Sequence, residues 1–141
     1  MNPRRPFASR RFAALVVTAA LAGTAAAAAP ASYLEQLRSA ASASGAFSGF
    51  SAERGRTFFT SSHGNEWSCA TCHGERPSVT GKHARTGKQI APLAPTANAD
   101  RFADEARTEK WFRRNCNDVL GRACTPLEKG DVLTWLMSLK P

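Results

Sequence analysis

Apolar and polar positions change rhythm several times along the chain, and each change predicts an element. Val132, Trp135, Leu136 and Leu139 keep the i, i+3, i+4, i+7 spacing of a buried helical face. Just before them, Thr125-Pro126-Leu127-Glu128 supplies a capping residue, proline at the first helical position and a glutamate that closes a capping box. A helix is therefore predicted from Thr125 to about Leu139. Ser51 caps a second helix over roughly Ala52 to Thr60, with Gly55 and Phe59 four apart on one face. Ser32-Tyr33-Leu34-Glu35 has capping-box spacing and predicts a short helix to about Ala43. Asp104 to about Asn115 reads as another helix. Asp104 and Glu105 fall in its first turn and Arg113 and Arg114 in its last, as the macrodipole favours. Trp111 and Asn115 share one face of it. Ser44 to Gly49 and Ser61 to Glu66 read as loops. Pro77, Gly81, Gly87, Pro92 and Pro95 mark Arg76 to Asn98 as irregular chain. No strand alternation of useful length and no internal repeat is present, so the expected class is all-α.

The first 31 residues do not fit that domain. Met1 to Phe12 is basic and free of acids, Ala13 to Leu21 is apolar, and Gly23 to Ala31 is a run of small residues. This is the grammar of a secretory signal peptide, with cleavage expected after Ala31. The apolar run is too short to span a bilayer. The chain thus divides into a signal peptide, 1–31, and one domain, 32–141, exported to a periplasm of the Gram-negative type, with no membrane span once the signal is removed.

Removing the signal changes the charge. Four of the nineteen basic residues lie in it, leaving fifteen against eleven acids. No basic run with interleaved aromatics occurs, which argues against nucleic acid as a partner. A modest positive surface suits an acidic redox partner. A mature chain of roughly 110 residues buries only a modest core. A bound cofactor and a disulfide would both help it, and the four cysteines fit if two take a cofactor and two pair.

Cys69-Ala70-Thr71-Cys72-His73 is the C-x-x-C-H motif of c-type haem attachment. Two thiols three positions apart can reach the two vinyl groups of one porphyrin, and the adjacent histidine becomes the proximal ligand. One haem c, held through Cys69 and Cys72 and ligated by His73, is the expectation. Zinc would want a second close cysteine pair, yet Cys116 and Cys124 are eight apart, and dithiol redox chemistry would want strands. Gly55 and Phe59 fit the crossing of first and last helices in small cytochromes c, with Trp135 or Leu136 opposite. The carbonyl near Pro92 is expected to accept a hydrogen bond from His73, with Leu93 packed on the haem.

The distal ligand is less plain. Met137, the one methionine after the signal, lies on the last helix and reads as core packing. His63 sits too close to the thioether cysteines to reach the opposite face, and His83 reads as a solvated residue of a basic loop.

The segments Thr86-Gly87-Lys88-Gln89-Ile90-Ala91-Pro92-Leu93-Ala94-Pro95, Asp100-Arg101-Phe102, Glu109 to Asn117 and Gly121 to Pro126 carry a resemblance over essentially the whole mature chain. The sequence resembles the sphaeroides haem protein family, oxygen-binding monohaem c-type cytochromes with a distal asparagine. The resemblance implies that Asn115, beside Cys116, is the distal ligand, that Asn117 is not, and that Cys116 and Cys124 form a disulfide. On the residues alone Asn115 would be a helix-end residue. The resemblance also implies a dihaem cytochrome c as electron donor.

An amide oxygen is a hard, weak ligand that suits ferric better than ferrous iron. Asn115 is expected to dissociate on reduction, opening the site to O2, NO or CO, and its freed amide can donate to a bound diatomic. Trp111, one turn earlier, either walls that pocket or packs in the core. The expected fold is a class I cytochrome c-like fold with an extra N-terminal helix, covalent haem and one disulfide, monomeric. The expected function is electron exchange with a periplasmic redox partner coupled to diatomic binding. A plain electron carrier and a peroxidase or nitric-oxide-oxidising enzyme are the alternatives, and the reading favours a protein that is not an enzyme.

Overall fold

The computed structural model describes residues 28–140. Most of the predicted signal, residues 1–27, lies outside them. Five helices and one two-residue hairpin occur among the described residues: α1 (Ala28–Ala43), α2 (Ala52–Thr60), α3 (Cys69–His73), β1 (Gly81–Lys82), β2 (Gln89–Ile90), α4 (Glu105–Leu120) and α5 (Pro126–Ser138). None of the helices is long and apolar enough to cross a membrane.

Local chemistry accounts for α2 and α5 as expected. The Ser51 hydroxyl accepts from Arg54 N–H, and α2 keeps its predicted bounds. Thr125 and Glu128 form the reciprocal capping box, with Pro126 in the first turn of α5. Two other boundaries differ from the sequence reading. Helix α1 runs through Ser32 from Ala28, so Ser32 does not start it. The preceding alanines favour helix, and Pro30 sits in the first turn, where its missing N–H costs nothing. Helix α4 begins after Asp104, which caps Arg107 N–H at 2.8 Å, and continues past Asn115 to Leu120, where Gly121 turns left-handed at φ 69°. Asn117 and Asp118 are weak helix formers. Burial of Cys116, tied to Cys124, carries the helix through them. Arg113 and Arg114 therefore lie in the body of α4, and Asn115 is not at its end.

Helix α5 is the spine. Phe59 of α2 packs with Val132, Trp135 and Leu136, and the Phe59 and Trp135 rings lie 5.0 Å apart. Tyr33 and Leu37 of α1 pack on Leu133, which is fully buried. Phe102 and Phe112 touch both clusters. Phe102 reaches that junction with a left-handed backbone (φ 63°), a conformation a bulky residue rarely takes. The crossing of α2 and α5 is locked by Asp131, 4% exposed, whose carboxylate accepts from Ser51 N–H at 2.7 Å and from Arg54 Nε and Nη2 at 2.7 and 2.9 Å. The extra helix α1 is fastened by Tyr33, whose hydroxyl donates to Glu109 of α4. Lys129 of α5 donates to the same carboxylate at 2.6 and 2.8 Å.

Met137 departs from its expected role. It is 39% exposed, because Leu133 and Leu136 take the inward positions of that helical turn. It does not serve as core packing.

Candidate haem site

A cavity of about 630 Å³ opens between α3, the 81–102 segment, α4 and α5. Cys69, Cys72 and His73 form its α3 wall and Trp111, Phe112, Asn115 and Cys116 its α4 wall, while Phe59, Leu93, Phe102 and Leu136 supply apolar lining.

The first wall is built by a helix the sequence reading did not place. Ser68 and Thr71 cap each other reciprocally, and Gly74, at φ 74°, ends the helix after His73. Threonine here takes the part glutamate usually plays in such a box, which is why the signal went unread. This single turn sets both thiols and the imidazole against the same cavity. Burial pushes the Cys69 thiol up to about 11. Burial, with the charges of Arg101 and His83 adding to it, pulls His73 down to about 4. At neutral pH the imidazole is uncharged, the form that ligates a metal. The Phe59 ring lies 6.1 Å from the His73 ring.

The hairpin closes on this helix. A Cβ at Gly81 would come within 2.5 Å of the Cys72 carbonyl oxygen, so only glycine permits the contact. Ala84 N–H points at Cys72 Sγ at 3.3 Å. His83 is half-buried and lines the cavity, not a solvated loop residue, because its Nδ1 accepts from Arg85 and Thr86 N–H and folds the ring into the turn. His63 lies outside the cavity lining, with Nε2 2.8 Å from the Phe58 carbonyl oxygen and its ring 4.4 Å from the Phe58 ring at a tilt of 52°.

The Pro92 carbonyl is engaged by two side chains. It accepts from Arg101 Nε at 2.7 Å and Asn98 Nδ2 at 3.4 Å, and Arg101 Nη2 adds a bond to the Ala91 carbonyl at 2.6 Å. No hydrogen bond from His73 to this carbonyl is present among the described residues, and Pro92 does not line the cavity. Leu93 does, positioned by its N–H bond to the buried Pro77 carbonyl at 2.8 Å.

On the second wall, Asn115 faces the cavity and its amide makes no hydrogen bond among the described residues. Asn117 is exposed and outside the lining, and its backbone carbonyl receives Gly121 N–H. Trp111 lines the cavity at 46% exposure, with the Arg114 guanidinium 5.5 Å from its ring, so it is a wall and not core. Cys116 and Cys124 are disulfide-bonded with Cα atoms 5.6 Å apart. That pairing removes them as thiolates for a zinc site with Cys69 and Cys72. Two thiols on one helical turn, a neutral imidazole and an apolar cavity of this volume fit a covalently held porphyrin. Trp67 and Arg101 also line the cavity. Trp67 stands in no pattern that marks a site, and Arg101, though part of the Asp100-Arg101-Phe102 segment, has no role there that the sequence reveals.

An all-helical domain with this site is a monohaem c-type cytochrome. A family model described as a domain of unknown function (DUF1924) matches residues 45–136. Cytochrome c-type protein SHP of Cereibacter sphaeroides is 56% identical over 89 residues, 60% of this chain and 68% of that protein. Cytochrome c'' of Methylophilus methylotrophus is 42% identical over 80 residues, 57% of this chain and 56% of that protein. The solved structure of oxidized SHP, described as an oxygen-binding cytochrome c, superposes with a TM-score of 0.70 at 48% identity, covering 78% of this chain and 96% of that one. Oxidized cytochrome c'' superposes with a TM-score of 0.66 at 34% identity, covering 84% and 97%. The chain belongs to the DUF1924 family and to the sphaeroides haem protein family.

Proposed function

We propose that this chain is a periplasmic monohaem cytochrome that exchanges electrons with a redox partner, a dihaem cytochrome c by family resemblance, and binds a diatomic gas (O2, NO or CO) when reduced. Cys69 and Cys72 hold the haem through thioether bonds, His73 is its proximal ligand, and Asn115 is the distal one. When bound, the haem would supply a one-electron couple and, when reduced, a binding place for a neutral gas. The observation that carries this reading is that His73 of α3 and Asn115 of α4, whose amide has no hydrogen-bond partner among the described residues, line one apolar cavity.

Each residue then has a task. The neutral His73 imidazole presents a nitrogen lone pair without first losing a proton. Asn115 would offer a carbonyl oxygen, a hard and weak donor that suits ferric better than ferrous iron. The freed amide keeps two N–H donors for a guest in the cavity. The disulfide ties α4 one residue after Asn115, limiting how far that amide can move. Trp111, exposed and one turn before Asn115 on α4, walls the cavity beside it.

The test is a set of visible spectra of the purified protein, oxidised and reduced, with and without carbon monoxide, beside an intact mass. The mass should exceed that of the polypeptide by one haem. The reduced protein should be five-coordinate and shift on adding carbon monoxide. A reduced spectrum that is low-spin and indifferent to carbon monoxide would exclude gas binding.

A further inference from the structure

We infer that the β1–β2 hairpin is the docking surface for an acidic one-electron donor protein, seated on Lys82, Arg85 and Lys88. The inference rests on the electron-exchange part of the proposed function and names where that exchange occurs.

Charge is distributed unevenly over this molecule. From Arg76 to Ala99 the chain carries Arg76, Lys82, Arg85 and Lys88 and no acid at all. Elsewhere cations are interleaved with acids, and several are neutralised. Arg38 pairs with Glu35, Arg54 with Asp131, Arg114 with Asp118, Arg122 with Glu128 and Lys129 with Glu109. Among the described residues Arg76, Lys82, Arg85 and Lys88 make no ion pair. Four unneutralised cations on one short segment form a local positive field, and such a field steers an anionic partner to one face.

The hairpin also presents these charges in order. Gly81 pairs with Ile90 and Lys82 with Gln89. Ile90 and Gln89 line the cavity, while Lys82 lies outside the lining and is exposed to solvent. The Arg85 guanidinium is held 4.7 Å from the Trp67 ring centroid, which fixes it without neutralising it. The Lys82 stem lies against the turn, its Cε 3.6 Å from where a Cβ of Gly87 would stand. A cation already held in place loses less freedom when a partner docks.

Position makes the patch a site for electron entry and not only an attractive one. The Ala84 N–H sits 3.3 Å from Cys72 Sγ, and Trp67 lines the same cavity as His73. A donor seated on the tip is one hydrogen bond from the side chain proposed to carry the haem. The donor gives up one electron and the haem gains one, so no bond or proton is needed for balance.

Binding is measured first without electron flow. Oxidised flavodoxin, an acidic redox protein, is added to oxidised holoprotein at low ionic strength, and backbone amide shifts are mapped. Shifts should concentrate in Gly81 to Ile90 and vanish at high salt. Charge reversal, K82E/R85E/K88E, should weaken binding more than tenfold. It should slow reduction by flavodoxin hydroquinone by a similar factor and abolish the salt dependence. The milder K82Q/K88Q, which leaves Arg85 on Trp67, should give an intermediate loss with an unchanged visible spectrum. A control with the same charge change elsewhere, R56E/K110E/R113E, should alter both by less than threefold. Equal losses in the two triple variants would mean that only net charge matters and would overturn the surface. Shifts centred on α4, or no salt-dependent binding, would overturn it too, while gas binding at the reduced haem would be untouched.

Discussion

Gly55 of α2 lies so close to Asp131 of α5 that a Cβ added at Gly55 would stand 2.0 Å from the Asp131 carbonyl oxygen. The obstacle is backbone and cannot rotate away. Gly55→Ala should therefore force the two helices apart, at a cost of about 3 kcal/mol or more, the upper part of the range for overpacking. Chemical denaturation of the holoprotein checks this. A midpoint equal to wild type would mean that the crossing is looser than the structure describes.

The Glu109 carboxylate should make stability sensitive to acid. Burial works against its charge, but hydrogen bonds from Lys129 and Tyr33 outweigh that and hold its pKa below the usual glutamate value. A carboxylate with a folded pKa below its unfolded one stabilises fully above the unfolded value, about 4.3. That contribution is lost as pH falls through the lower folded value. Wild type should melt higher than Glu109→Gln at neutral pH, and the gap should shrink on acidification below about pH 4. A gap that stays constant from pH 7 to pH 3 would assign the difference to packing instead.

The disulfide should matter more to the distal site than to overall stability. Cys116 and Cys124 are eight positions apart, and so short a loop limits the entropic gain to about 2–3 kcal/mol. Reducing the bond in the native holoprotein should lower the denaturation midpoint modestly. It should also let water compete with Asn115, visible as high-spin character in the oxidised spectrum. A large drop in midpoint with an unchanged oxidised spectrum would reverse that ranking.

Asn115→Ala should leave haem attachment intact, because Cys69, Cys72 and His73 are on another helix, α3, and are untouched. In the oxidised protein, water or an added anion should take the distal position. Loss of the amide donor should also speed oxygen release or autoxidation by a factor corresponding to about 0.5–1.5 kcal/mol. An oxidised spectrum identical to wild type would move the distal ligand elsewhere, with His83, which lines the same cavity, the next residue to replace.

Much of this molecule was written in local sequence. Ser51 and the Thr125 to Glu128 box determined the starts of α2 and α5, because a cap acts within one turn. The face of Val132, Trp135 and Leu136 is set by helical period alone. Spacing within C-x-x-C-H names its chemistry, since attachment needs two thiols and a histidine in sequence. Tertiary structure decided the rest. Asn115 reads as a helix-end residue until a helix held by Cys116 and Cys124 runs on beyond it and turns its amide into a cavity. The Pro92 carbonyl could serve any donor that reaches it, and Arg101, nine residues on, arrives at 2.7 Å. Met137 was left outside because Leu133 and Leu136 took the inward positions, and His83 came inward because the hairpin folded onto Cys72. Sequence settles what depends on neighbours a turn away. Which side chain meets which across the cavity depends on how helices and loops far apart in the chain pack together, and no local pattern carries that information.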